Sequence, residues 1–280
     1  TPKSKSYSDI GDALSEVDVF ELPVIVKPVD SAGSKGVTKV SSKDDFEKAI
    51  THALYFSPSK NFIIEDFLVS KNFSSDTDCF SVDGKFEFIS FSNQYFDKKS
   101  PNPYTPSAYS WPSSISAKNQ KELRIELQRL IDLLGMKSSI YNIEVRETTD
   151  DKAYIMEVSP RGGGNRLSEM LYYATGTDLI SCAIQAALGD EIENVQQPVY
   201  KGKWAEIILY SNKTGLFKSL KIDPKLDKNI IEVDLWIEKG DHVNAFTGAN
   251  EAIGTLVLQF DSADQLNSVV GKYDKYIEVV

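Results

Sequence analysis

Ile140-Tyr-Asn-Ile-Glu-Val-Arg-Glu147, Thr148-Thr-Asp-Asp-Lys152 and Ala153-Tyr-Ile-Met-Glu-Val-Ser159 read as strand, turn and strand. Both flanks alternate apolar with polar residues, the two-residue period of a half-buried strand. A tight loop centred on Asp150-Asp151 places Ile143 opposite Val158 and Val145 opposite Met156 on an apolar face. The same register sets Glu144 against Glu157, and Asn142 against Ser159, on the other face. Two carboxylates directly across a ladder destabilise it by up to roughly 1 kcal/mol unless a cation lies between them. Oxygen ligands with no His or Cys nearby suit Mg²⁺, which fills its remaining positions with water and substrate phosphates. The competing reading is a solvated strand face whose carboxylates point at water.

The residues that follow weigh against that competing reading. Ser159-Pro160-Arg161-Gly162-Gly163-Gly164-Asn165 is too glycine-rich for a routine connection, and a helix starting near Arg166 would aim its N-terminal amides at an anion. Arg161 adds a planar fork for phosphate or carboxylate. Far upstream, Lys27 sits in the apolar strand Val24-Ile-Val-Lys-Pro28, where a lysine needs an anionic partner. Ser31-Ala-Gly-Ser-Lys-Gly36 then supplies small residues whose amides can approach phosphate oxygens. Its spacing matches neither the Walker nor the dinucleotide-binding glycine pattern.

Elsewhere the chain alternates strand and helix signals. Apolar positions from Ser8 to Phe20 predict a helix, Leu22–Val29 a buried strand, Ser42 the cap of a helix through Ala53, and Asn61–Glu65 a short strand, together a small hairpin-and-helix block. Asp76 to Phe91 reads as a hairpin turning at Asp83-Gly84. Residues 97–114, with four prolines, read as a loop, with Tyr95 and Trp111 candidates to line a pocket or anchor it. A helix capped by Ser116 carries Leu123, Leu127, Leu130, Ile131 and Leu134 and stops at Gly135. Two helices follow the glycine segment, and strand signals dominate after Val199, with one helix near Ser262. His52 and His242 sit in no acid–base motif and receive no role.

The net charge of −10, with no basic stripe to offset it, argues against nucleic-acid binding through counterion release. Cys79 and Cys182 are far apart, which disfavours a disulfide framework or cysteine zinc site and suits a reducing cytoplasm. No apolar run reaches transmembrane length. The chain opens on Thr1-Pro2 rather than Met, so a fragment lacking an upstream domain is expected.

Pro23-Val-Ile-Val-Lys-Pro28, Ser31-Ala-Gly-Ser-Lys-Gly-Val37, Ile63-Ile-Glu-Asp-Phe-Leu68 and Glu157-Val-Ser-Pro-Arg161, in this order and spacing, resemble the ATP-grasp superfamily. Its carboxylate–amine ligase branch, related to biotin carboxylase and carbamoyl-phosphate synthase, is the most similar, over about residues 1 to 190. The resemblance implies an α+β fold with a small lid subdomain at 1–66, a larger antiparallel-sheet subdomain at 67–192 and a further α+β segment at 193–280. It implies Mg-ATP, with Mn²⁺ able to substitute, bound between two subdomains, and small carboxylate and amine substrates, with no nucleic acid or membrane partner and a homo-oligomer left open.

By that resemblance Lys27 holds ATP phosphates and acts with Arg161 in catalysis. Ser31, Gly33, Ser34, Lys35 and Gly36 fold over the phosphates, Glu65, Asp66, Phe67 and Leu68 read the adenine edge, and Asn72 stands at the ribose position. Glu144, Glu157 and Ser159 hold the metal, and Arg161, Gly162, Gly163, Gly164 and Asn165 hold substrate. The sequence departs from the family in three ways. Ser159 replaces a metal-binding Asn, which shifts that role toward Asn142 or Asn165. Asn72 replaces an acidic ribose contact. The third is that an upstream domain with a second phosphate-binding lysine is expected before Thr1, outside this sequence. The implied activity is an ATP-dependent ligase; an ATP-binding module without ligase activity, or a phosphotransferase on the same fold, are the alternatives.

Overall fold

The computed structural model describes residues 1–31 and 33–280. Two compact units are formed, Thr1–Val69 and Ser70–Val280. In the first, β1 (Ser4–Tyr7), β2 (Val24–Pro28), β3 (Thr38–Val40) and β4 (Phe62–Asp66) make an antiparallel sheet in the order β1-β4-β2-β3, joined by helices α1 (Ile10–Ser15) and α2 (Phe46–Phe56). Val24 and Val26 of β2 and Ile64 of β4 meet Phe46, Ile50 and Ala53 of α2 in its core. Alternation along β2 leaves Ile25 and Lys27 on the other face. The expected helix over 8–20 is shorter, because Ser4–Tyr7 pairs with β4 and Asp9 caps the helix through the Asp12 amide at 3.0 Å. Ser42 caps a 3₁₀ turn, Lys43–Asp45, that leads into α2.

The second unit comprises β5 (Ser70–Val82), β6 (Lys85–Ile89), β7 (Asn93–Phe96), β8 (Pro106–Trp111), α3 (Ala117–Leu133), β9 (Ser139–Thr148), β10 (Ala153–Ser159), α4 (Leu167–Thr175), α5 (Leu179–Leu188), β11 (Lys203–Leu209), β12 (Gly215–Leu216), β13 (Leu220–Ile222), β14 (Ile230–Leu235), β15 (His242–Val243), β16 (Gly254–Phe260), α6 (Ala263–Val270) and β17 (Ile277–Val279). Its main sheet runs β10-β9-β5-β7-β8-β11-β16-β14, with β6 pairing β5. Three strands after residue 193 therefore extend the sheet that begins with the acidic hairpin. Small ladders β12-β15 and β13-β17 complete the unit.

The loop expected over 97–114 contains a central strand instead. Pro106 stands at the first position of β8, where a missing amide does least harm, and Ser107, Ala108 and Ser110 are buried. Their polarity hid the strand, since hydroxyls that look loop-like are satisfied inside: Asn93 Nδ2 donates to Ser110 Oγ at 3.1 Å and Ser107 Oγ to the Tyr95 carbonyl at 3.3 Å. Tyr95 and Trp111 end up in cores on opposite faces of the sheet. The helix capped by Ser116 buries Leu123, Leu127 and Ile131, while Leu134 is exposed. Among the described residues, no helix is long and apolar enough to cross a membrane. Cys79 and Cys182 are both buried free thiols.

Candidate active site

The acidic hairpin forms with Glu144 opposite Glu157, Ile143 opposite Val158 and Asn142 opposite Ser159. The expected Val145–Met156 pair does not form. The register shifts between Ile155 and Glu157, so Val145 faces Ile155 and Met156 is the extra residue of a bulge. The bulge lets Ile155 and Val158 both pack against Tyr141, Ile143 and Val145 and the inner face of α3, while Glu157 keeps its place across from Glu144.

On the far side of β9, β5 lengthens the two polar rows. Asp76 pairs with Glu144 and Asp78 with Asn142, giving the rows Asp76-Glu144-Glu157 and Asp78-Asn142-Ser159 on one sheet face. Glu157 is exposed, Glu144 half-buried, and Ser159 Oγ donates to Glu157 Oε1 at 2.9 Å. Asp76 is turned away from them. It accepts from Asn142 Nδ2 at 2.7 Å and from the Tyr109 hydroxyl at 3.2 Å. Burial pushes its carboxyl up to about 6; those hydrogen bonds oppose the shift, and the charges of Asp78 and Glu157 add to it. Among the described residues no three His, Cys, Asp or Glu side chains converge as a metal would require. The oxygen donors that share this face are the facing pair and Ser159.

Asp78 anchors the glycine segment. Fully buried, it accepts from the Gly163 amide at 2.8 Å, from Ser168 Oγ at 2.5 Å and from Asn142 Nδ2 at 3.3 Å. Burial raises its pKa, opposed by the Ser168 and Gly163 hydrogen bonds. A Cβ on Gly163 would lie 2.6 Å from Asn142 Nδ2, 2.7 Å from Leu167 Cδ1 and 2.9 Å from Asp78 Oδ1, so any side chain there must push these three side-chain ends aside. Gly164 has open space around it, and Gly162 lies near Ile140. Arg161 is exposed, its Nη1 donating to the Gly162 carbonyl at 2.8 Å. Asn165 turns the other way and donates to the Tyr109 hydroxyl at 3.2 Å. The site thus brings together Glu144, Glu157, Ser159, Arg161 and Gly162–Gly163, with Asp76 and Asp78 behind them. Extending the register argument to the Asp76-Thr-Asp78 alternation was the signal that would have found the last two.

Asn72 is exposed near the outer start of β5. The other candidates belong to the first unit. Lys27 Nζ meets Glu65 Oε1 at 2.7 Å, so the partner that the apolar strand demanded is Glu65 itself. The amides of Asp66 and Phe67 donate to the Lys3 and Pro23 carbonyls at 2.9 and 3.2 Å, which fixes the end of β4 against the start of the chain and of β2. Lys39 Nζ lies 4.0 Å from the Phe67 ring centroid. Gly33, Ser34 and Gly36 all have positive φ, making Gly33 to Gly36 a tight turn with Lys35 exposed. Gly36 packs against Phe56 and Pro28, and Ala32 of this loop lies outside the described residues.

Residues 20–169 match the ATP-grasp domain family. The carbamoyl phosphate synthase large chain of Halomonas eurihalina is 24% identical over 266 residues, covering 91% of this chain and 24% of that one. The chain thus spans about a quarter of the length of the curated relatives it matches. Among solved structures, an L-amino acid ligase from Bacillus licheniformis superposes with a TM-score of 0.80 at 18% identity, covering 100% of this chain and 69% of that one. The biotin carboxylase domain of a 2-oxoglutarate carboxylase from Hydrogenobacter thermophilus, in complex with MgADP, ADP and bicarbonate, gives 0.74 at 14% identity, covering 100% and 63%. At such identities the superpositions speak for the fold, and the match over 20–169 carries the lineage: the chain belongs to the ATP-grasp family.

Proposed function

We propose that this chain is the Mg-ATP-binding part of an ATP-dependent ligase that activates a small carboxylate as an acyl phosphate and joins it to an amine. The observation that carries the reading is the facing Glu144/Glu157 pair beside a glycine loop tethered through Asp78. Like charges across a ladder are unfavourable alone and become favourable around a hard cation, and the all-oxygen donor set fits Mg²⁺. When bound, the metal neutralises developing charge on the phosphate oxygens. Glu144 and Glu157 would hold it, with Ser159 as a weaker third oxygen.

The chain's own part in the reaction is positioning and electrostatics. Lys27 and the turn at Ser31 to Gly36 would bind ATP phosphates, and the 65–68 segment would take the adenine. Binding requires Lys27 to exchange its Glu65 partner for phosphate, an exchange of one anion for another. Arg161 would release the Gly162 carbonyl and hold the carboxylate in line. The carboxylate oxygen attacks the γ-phosphorus and ADP leaves; the amine then attacks the acyl carbon of the acyl phosphate, loses a proton, and phosphate leaves as the amide forms.

The test is a hydroxylamine-trapping assay with Mg-ATP across small carboxylates. Hydroxamate formation that is lost in Glu157→Gln, with folding unchanged by circular dichroism, supports the reading. Turnover retained by Glu157→Gln would sink it. ADP formation without hydroxamate, accompanied by a phosphate ester, would assign the chain to phosphotransferases instead.

A further inference from the structure

The sheet register that builds the acidic rows also places Gln94, Tyr109 and Glu206 side by side on β7, β8 and β11, with all three side chains on one face. Glu206 is fully buried and neither of its carboxylate oxygens has a hydrogen-bond partner among the described residues. Gln94 Oε1, two strands away on the same face, is likewise buried and unpartnered, as is the indole N–H of Trp111 beside Tyr109. Buried polar groups are overwhelmingly satisfied in native proteins, so unmet atoms gathered on one face call for an explanation.

Charge around Glu206 narrows that explanation. Arg166 is the cation beside it, and Arg166 is fully engaged. Its Nε pairs with Glu169, its Nη2 with Glu232 at 2.9 Å, and its Nη1 with Asp234 at 3.2 Å and Thr255 Oγ1 at 2.9 Å. Three carboxylates on one guanidinium leave negative charge in excess before Glu206 is considered. Glu206 feels Arg166, Glu169 and Glu232 electrostatically but makes no hydrogen bond to any of them. The unmet acceptors therefore face a surplus of negative charge, the environment that recognises a compact cation with several N–H donors.

We propose that Glu206, with Gln94, is the receptor for a primary ammonium group on one of the substrates, an assignment that rests on the ligase reading. The row is continuous with the glycine loop, because the Tyr109 hydroxyl between Gln94 and Glu206 binds both Asp76 and Asn165. Asn165 and Arg166 reach across the row to Tyr109 and Thr255 and both have positive φ, near 55°.

The ammonium group belongs either to the carboxylate substrate, making that substrate an amino acid, or to the attacking amine. Calorimetric titration of the chain with Mg-AMPPNP present distinguishes these, using matched sets: L-alanine, propionate and ethylamine; L-leucine, 4-methylvalerate and isoamylamine. Binding of an amino acid but not its amine or desamino partner places the ammonium on the carboxylate substrate. Binding of the amine alone places it on the nucleophile. In either case Glu206→Gln weakens the ammonium-bearing ligand roughly tenfold or more, the loss expected for a charged hydrogen bond. Should that variant fail to fold, Glu206→Leu, which removes the unpaired acid, must abolish the same binding. Equal binding by either variant overturns the proposal, and so does a wild type that binds Mg-AMPPNP but none of the ammonium-bearing probes. A wild type that binds no Mg-AMPPNP refutes the ligase reading itself.

Discussion

Gly163 shows how one position can be set by its neighbours. Its amide donates to Asp78 while Asn142, Leu167 and Asp78 crowd the place a Cβ would take. Gly163→Ala must push aside the ends of Asn142, Leu167 and Asp78, two of which hold the loop's hydrogen-bond network, and overpacking of this kind costs about 1–3 kcal/mol. Gly164 has no such neighbours and no positive φ, so Gly164→Ala is expected to stay within about 0.5 kcal/mol of wild type. Urea denaturation of the two variants in parallel checks this. Equal stabilities would show that the Asp78 tether does not hold the loop. The facing glutamates were legible from alternation alone, since the two-residue period assigns faces without any tertiary information. Alternation also puts Asp76 and Asp78 on one face, but their place behind the pair was not legible, because short-range spacing does not say that β5 lies beside β9.

Helix α3 illustrates the same limit for an element. Its span and its Ser116 cap could be read from the chain, and Ser116 Oγ accepts from the Asn119 amide at 3.3 Å. What holds its first turn to the sheet could not. Glu147, at the end of β9 and 2% exposed, accepts from the Ser116 amide at 3.2 Å and from Asn119 Nδ2 at 2.6 Å. Burial works against its ionisation, and the hydrogen bonds from Ser116 and Asn119 outweigh it, holding the carboxyl below its ordinary range. A depressed folded-state pKa contributes stability that is present above the unfolded value and lost as pH falls through the folded one. Glu147→Ala should therefore cost about 1–3 kcal/mol at pH 7, by leaving buried donors unmatched, and progressively less as the pH is lowered below about 4. Urea titrations at pH 7 and pH 3 measure the difference. A cost that does not change with pH would assign it to packing instead. The same contrast explains β8, whose buried serines find partners on β7 only once the sheet is assembled.

At the scale of the whole molecule, burial of Glu206 in the middle of the second unit's sheet sets a pH dependence of opposite sign. Burial raises its carboxyl well above the usual range; Arg166 opposes the shift, and Glu169 and Glu232 reinforce it. The folded state then holds a proton that the unfolded chain releases above about pH 4.3. Stability from this group is complete below that value and declines as pH rises, by up to about 1.4 kcal/mol per pH unit. Glu206→Leu should be more stable than wild type at pH 7, with the gap widening from pH 5 to pH 8 in guanidinium melts. A gap independent of pH would mean that the acid is ionised in the fold. Saturating Mg-AMPPNP should stabilise the chain by about 2.7 kcal/mol at a hundred times its Kd, seen as a rise in Tm that requires the metal. A Tm unmoved by the nucleotide would count against the assignment of Lys27 and Glu157 to ATP.

By itself the sequence determined the acidic hairpin, the glycine-rich connection, the Lys27 strand and the family, because these rest on residue type and short-range spacing. The bulge at Met156, the Asp78 tether, the strand hidden among prolines and the unpaired Glu206 were decided only by the tertiary structure. Each depends on which strand lies beside which, and that choice is made by burial of non-local apolar faces that short-range spacing does not record. The opening pair of glutamates belongs to both: alternation set them on one face, and β5 placed Asp76 and Asp78 behind them.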